Sequence, residues 1–267
     1  MRFKLTLAII ASFVAAPAVA DGRRLPEQAM PARGVYVGVF GGGGFSTSTD
    51  VNQLGTAFFT EAQGGPLAVN ATGKIDSGGV GFVGGQIGYE LAYGSMVMPA
   101  FELEGFYLRS GNRSGTLDSP TDRLDEHTFD NTFSIRSSVY LASMVLSFPT
   151  LHRGMTPYIG GGIGGARVSV SGANSLQTSP PEDGVNHFNS GTDSAVWTFA
   201  AQAKAGVRFA IGRNAYVFGE YRYLYVGSTD QIFGNTVYPF HAPTTAWTVR
   251  FDDTSYHLAT AGIGFNF

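Results

Sequence analysis

The 267-residue chain contains no cysteine, which excludes both a disulfide framework and thiolate chemistry. Only 14% of the residues are charged, and basic residues are nowhere clustered. A nucleic-acid partner is excluded on that ground, because it wants a basic patch or stripe. After residue 20 there is no apolar run of the ~20 residues that a spanning helix needs. That part of the chain does not cross a membrane as a helix.

The first twenty residues form the one long apolar segment. Arg2 and Lys4 give a basic start, Leu5 to Ala16 an apolar stretch, and Ala18-Val19-Ala20 the small-x-small box that a signal peptidase cuts. The apolar run is too short for a helical anchor and is followed at once by Asp21, Arg23 and Arg24. Residues 1–20 are therefore expected to be a cleaved signal peptide. With Arg2 and Lys4 gone, 15 of the 17 basic residues remain against 20 acidic ones, so the exported chain is acidic.

What is abundant is glycine, with 37 residues, and aromatics, with 21 Phe and 12 Tyr. In a closed antiparallel barrel, glycine lets interior side chains crowd together while aromatics sit at the water–lipid boundary. Residues 21–33, with Pro26 and Pro31, read as a periplasmic tether, and residues 34–267 as the barrel.

Eight segments carry the period-two pattern of strands. They are Gly34–Phe40, Gly79–Leu91, Ala100–Leu108, Phe133–Phe148, Tyr158–Val170, Trp197–Phe209, Tyr216–Val226 and a last one from His257 to Phe267. Each reaches or nearly reaches the ~9–11 residues of a tilted transmembrane strand. In the sixth, Trp197, Phe199, Ala201, Ala203, Ala205, Val207 and Phe209 alternate with polar or small residues, among them Gln202, Lys204 and Arg208. The segment at 133–148 is mixed on both faces, and its pattern leaves the lipid side open. Connections alternate between short (92–95, 149–157, 211–214) and long (46–78, 109–132, 171–195, 227–248), the asymmetry of periplasmic turns and outer loops. The fold class is thus all-β, a transmembrane up-and-down barrel of eight strands.

Face assignment then predicts two residue sets. Tyr89, Tyr107, Phe199, Phe209, Tyr221, Tyr223, Phe265 and Phe267 are expected to face lipid. Glu102, Glu104, Lys204, Arg208, Glu220 and Arg222 are expected inside, paired, because an unpaired buried charge is costly. Eight strands leave an interior about wide enough for side chains, so this network is expected to plug the lumen rather than line a gated pore. A soluble sandwich fits less well, since the polar face would make a poor core.

Gly34-Val-Tyr-Val-Gly-Val-Phe-Gly-Gly, Gly84-Gly-Gln-Ile-Gly-Tyr, Thr156-Pro-Tyr-Ile-Gly-Gly-Gly-Ile-Gly-Gly, Phe218-Gly-Glu-Tyr-Arg-Tyr and Gly262-Ile-Gly-Phe-Asn-Phe together resemble the small porin-like or opacity-type outer-membrane proteins. The resemblance implies insertion into the outer-membrane bilayer by the outer-membrane assembly machinery, and outer loops that contact a host or other surface ligand. It implies no single activity. Ala259, Ala261, Ile263, Phe265 and Phe267 resemble the terminal signal which that machinery reads. Larger relatives carry a periplasmic peptidoglycan-binding domain, which is not expected here.

No catalytic, cofactor or metal site is expected. Asp125-Glu126-His127 resembles one half of an outer-membrane aspartate-type protease site, but Asp252-Asp253 is adjacent and would diverge on a strand. Neither His187 nor His257 has a serine two residues on, as a lipid deacylase would want. His127, His152, His187, His241 and His257 stand singly, without zinc-site spacing, and the acidic run about Asp118–Asp130 reads as a solvated loop. Gly41–Gly44 lacks the Lys-Ser or Lys-Thr of a phosphate loop. Arg113 is read as an exposed loop residue.

Overall fold

The computed structural model describes residues 34–91, 97–120, 127–148 and 154–267. The expected signal peptide and tether, and two of the three short turns, lie outside these residues, the second turn in part. In chain order the strands are β1 Val35–Ser46, β2 Thr49–Leu54, β3 Thr56–Ala57, β4 Leu67–Ala68, β5 Ala71–Ile75, β6 Gly78–Glu90, β7 Met98–Ser119, β8 His127–Ser147, β9 Met155–Ser179, β10 Pro181–Asn186, β11 Ser194–Ala210, β12 Ala215–Val226, β13 Thr229–Phe233, β14 Trp247–Phe251 and β15 Thr254–Asn266.

Eight of them pair antiparallel in the order β1–β6–β7–β8–β9–β11–β12–β15. The ring closes because β15 returns to β1, from Tyr36↔Asn266 to Ser46↔Tyr256. Closure pairs every strand on both sides and removes the open sheet edge. The eight segments recognised by alternation are these eight strands.

The outward faces divide into bands. Val39, Val83, Ile87, Leu103, Ile159 and Ile163 are exposed around the ring's middle. Tyr89, Phe101, Phe209, Phe265 and Phe267 are exposed near the end that holds the termini, and Tyr107, Tyr140, Trp197, Phe199, Tyr221 and Tyr223 toward the other. An apolar belt between two aromatic girdles is what a bilayer requires of a barrel exterior.

Strands β7, β8 and β9 run to 22, 21 and 25 residues, about twice what a bilayer crossing takes. Their far halves stand outside it, and the outward face records the transition. On β7 it changes from Phe101, Leu103 and Tyr107 to Asn112, Ser114, Thr116 and Asp118 across a register shift between Arg109 and Asn112. On β8 it changes from Met144, Ala142 and Tyr140 to Ser138, Arg136 and Ser134. The lipid side of the 133–148 segment is therefore its even-numbered face, mixed because half of it meets water.

The four long connections, expected as outer loops, carry strands of their own. β2 pairs with β5 and β14, β14 with β13, and β5 returns to β7 at Gly73↔Leu117. Together with the far halves of β7–β9 these strands enclose a second core. Phe133 packs against Phe233 and Phe251 at 6.1 and 5.0 Å, and Phe188 stacks on Phe233 at 4.8 Å, beside the buried Trp247, Leu117 and Ile75. Apolar side chains alternate inward along these segments with the same period of two as the ring strands. Arg113 lies inside this extension: its Nε and Nη2 donate to Asp76 O and Thr47 O at 3.0 Å each, so it is buried rather than exposed.

Candidate functional site

Five of the six charged residues assigned to the interior come together at one level of the ring. Lys204 on β11 donates to both Glu102 and Glu104 on β7, and Gln202 donates to Glu104 and, at 3.0 Å, to Ser143 Oγ. Arg222 on β12 reaches Glu104 Oε1 at 3.1 Å and its neighbour Glu220 at 2.5 Å. Strands β7 and β12 are diametrically opposite in the ring, with three strands between them either way. Direct contact between their side chains means that the interior is bridged from wall to wall. All five of these charged groups are within 1% of complete burial.

Arg208 stands nearer the end with the termini. It pairs with Glu90 Oε2 at 3.1 Å and lies among the rings of Tyr36, Tyr158 and Tyr216 at 5.0, 4.9 and 5.3 Å. Tyr36 and Tyr158 donate in turn to Glu102 and Glu220 at 2.9 and 2.7 Å. Glu90, Gln202 and the three tyrosines thus join a network that residue-type reasoning had limited to six charges. Tyr36 fits only because Gly88 lies beneath it, where a Cβ would come within 2.3 Å of the ring.

Toward the outer end the interior turns apolar. There Phe40, Phe82 and Phe106 meet edge-on or tilted at 6.1–6.3 Å, next to Leu108, Val139, Leu141 and Leu224. Arg222 divides the two zones, with its guanidinium 4.5 Å from the Phe40 ring centre. An interior sealed from lipid must be filled, and apolar rings fill it without needing partners.

A second constellation lies in the outer extension. Glu182 on β10, His187 just after it and His241 in the 234–246 connection place their side-chain ligand atoms within 4.8 Å of one another. Glu182 Oε2 is 3.4 Å from His187 Nε2 and 3.3 Å from His241 Nε2. Hydrogen bonding to His187 and then His241 holds the Glu182 carboxyl well below the usual carboxylate range, and the same carboxylate raises His241. The reading of five scattered histidines is corrected here: separations of 5 and 54 residues carry no motif, and the fold alone joins them. They sit at one side of a cleft of about 440 Å³ whose walls include Phe58, His127, Phe129, Phe240 and Trp247.

The remaining residues fall as follows. His127 is the first residue of β8, whereas Asp125, Glu126 and His152 lie outside the described residues. Asp252 and Asp253 occupy the turn between β14 and β15, and His257 faces outward, 2.6 Å from the Tyr221 hydroxyl. The eight aromatics assigned to lipid all point outward, as do Ala259, Ala261 and, partly covered, Ile263.

A closed antiparallel ring, two aromatic girdles and a buried ion-paired interior define a transmembrane β-barrel. The sequence matches the outer membrane protein beta-barrel domain family over residues 6–267, so the chain belongs to that family and is a protein of the bacterial outer membrane, embedded in its bilayer. No curated protein sequence matches it. Among solved structures, OprG of Pseudomonas aeruginosa is similar at 11% identity, covering 89% of this chain and 98% of its own, with a TM-score of 0.42. Neisserial surface protein A (NspA) is 18% identical over 85% of this chain and 99% of its own, with a TM-score of 0.33. The outer membrane protease OmpT of Escherichia coli is 8% identical over 86% and 97%, with a TM-score of 0.36. Likenesses this remote carry no residue role and no activity over to this chain.

Proposed function

We propose that the protein is a non-catalytic outer-membrane barrel that blocks its own lumen and serves through contacts made by its outer extension. The observation that carries this reading is a rigid apolar rim held outside the bilayer. Phe240 is wholly exposed and sits at a φ of 69°, a left-handed conformation that bulky residues avoid. Phe58, on the same cleft, and Val237 are also exposed. Their segment is pinned rather than free: Asn189 and Val237 exchange hydrogen bonds of 2.7 and 2.8 Å, and Trp247 Nε1 donates to Thr236 Oγ1 at 3.2 Å. A strained aromatic and a second exposed one, offered to water on a fixed scaffold, suit a protein or glycan surface better than they suit solvent.

The same reading includes a precursor cut after Ala20, a tether over residues 21–33, and delivery to the assembly machinery by the terminal strand. The test is adherence of cells displaying the protein to protein-coated and glycan-coated surfaces. A Phe58→Ser/Phe240→Ser double variant that still folds should adhere at least about tenfold less than wild type. Equal adherence overturns the contact role, and hydrolysis of peptide or lipid by the refolded wild-type protein overturns the non-catalytic one.

A further inference from the structure

We propose that Glu182, His187 and His241 form a binding site for a divalent transition-metal ion of the zinc type, with one coordination position open to the outer cleft. This inference stands apart from the contact role above, because it concerns the wall of the cleft and is read by metal binding alone.

The geometry fits a metal before any metal is present. Zinc binds imidazole nitrogen at about 2.0–2.1 Å in tetrahedral sites, which sets neighbouring ligand atoms about 3.3 Å apart. Glu182 Oε2 stands 3.4 and 3.3 Å from the two imidazole Nε2 atoms. Both rings are already turned to coordinate. His187 Nδ1 is 3.0 Å from Ser175 O, and His241 Nδ1 is 2.7 Å from Ala242 O. A carbonyl oxygen only accepts, so each Nδ1 carries a proton, and in the neutral ring Nε2 presents its lone pair to the carboxylate. A backbone carbonyl holding Nδ1–H is the usual support of a metal-bound histidine.

The carboxylate supplies an independent sign. Glu182 Oε2 is buried, and the two imidazole Nε2 atoms are what face it. Three lone pairs converging on one point repel unless a proton or a metal cation lies between them, and a metal serves all three at once. Two nitrogens and one oxygen suit zinc and its first-row neighbours, whereas calcium and magnesium prefer all-oxygen sites. Three protein ligands leave a fourth position, on the cleft side, for water or a small anionic donor. Bound metal would also tie β10 to the 234–246 connection, two segments that the chain itself joins only through β11–β13.

The experiment uses the refolded, tag-free mature barrel, stripped with EDTA and titrated with Zn²⁺ by calorimetry, with Co²⁺ absorption as a second readout. The expected result is one Zn²⁺ per chain and an intense visible Co²⁺ band of low-coordinate geometry. Glu182→Gln and His241→Ala, both partly exposed positions, should each weaken binding by about tenfold or more while the heat-modifiable barrel persists. His127→Ala, in the cleft but outside the triad, should bind as wild type does. Absence of stoichiometric binding, or binding that survives both triad substitutions unchanged, overturns the site.

Discussion

At the scale of single residues, the barrel interior turns on partners rather than on charges. Lys204 is 1% exposed and faces two carboxylates, so Lys204→Ala leaves Glu102 and Glu104 sharing fewer donors in a dry site. Breaking such a buried pair costs about 3–5 kcal/mol, against about 0–1 for an exposed one. Arg136, on the outward face of β8, is the matched control. Urea unfolding from detergent should show a large drop in midpoint for Lys204→Ala and almost none for Arg136→Ala; equal midpoints contradict the account. Gly88→Ala should cost about 1–3 kcal/mol by overpacking, since its Cβ would reach the Tyr36 ring and hydroxyl at 2.3–2.4 Å. The same unfolding assay checks it, and a neutral result would show that Tyr36 can turn away without loss. Period-two alternation made the six charges legible in sequence, because a one-residue slip would have sent them all to lipid. Glu182, His187 and His241 were not legible, since no motif joins residues brought together from two outer segments.

At the scale of elements, the ring strands could be read and the outer ones could not. A transmembrane strand announces itself by an apolar outward face, and β11 and β15 do so along most of their length. Outside the bilayer that face turns polar, so the far halves of β7, β8 and β9, rich in Ser, Thr and Asn, look like loops until their inward Leu117, Phe129, Phe133 and Val170 are counted. Trp247 tests whether those halves form a folded unit. Trp247→Ala should cost about 3–5 kcal/mol of packing and speed hydrogen exchange in β2, β13 and β14 while sparing β11 and β12. Uniform exchange across the ring would mean that the extension has no stability of its own. The terminal strand carries a different prediction. Phe267 is 72% exposed and gives the finished barrel one backbone bond, from its N–H to Val35 O at 2.9 Å. Deleting it should therefore cut insertion, measured by outer-membrane fractionation, far more than it lowers the unfolding midpoint of the refolded protein. Phe265→Ala should insert better than the deletion does.

At the scale of the whole molecule, two cores are stacked along one axis, an ion-paired lower interior below an apolar upper one that continues into the outer extension. Both follow from the same requirement: an eight-stranded interior has room for side chains and little else. The proposed closure of the lumen rests on the wall-to-wall contact of Arg222 with Glu104 and on the aromatic packing above it. Solute flux through proteoliposomes tests that claim most directly. Liposomes loaded with the refolded barrel should swell no faster in small sugars than protein-free liposomes, and Phe106→Ala, which opens space above Arg222 while keeping every ion pair, should raise flux only slightly. Swelling by the wild-type protein at the rate of a general porin would contradict the account.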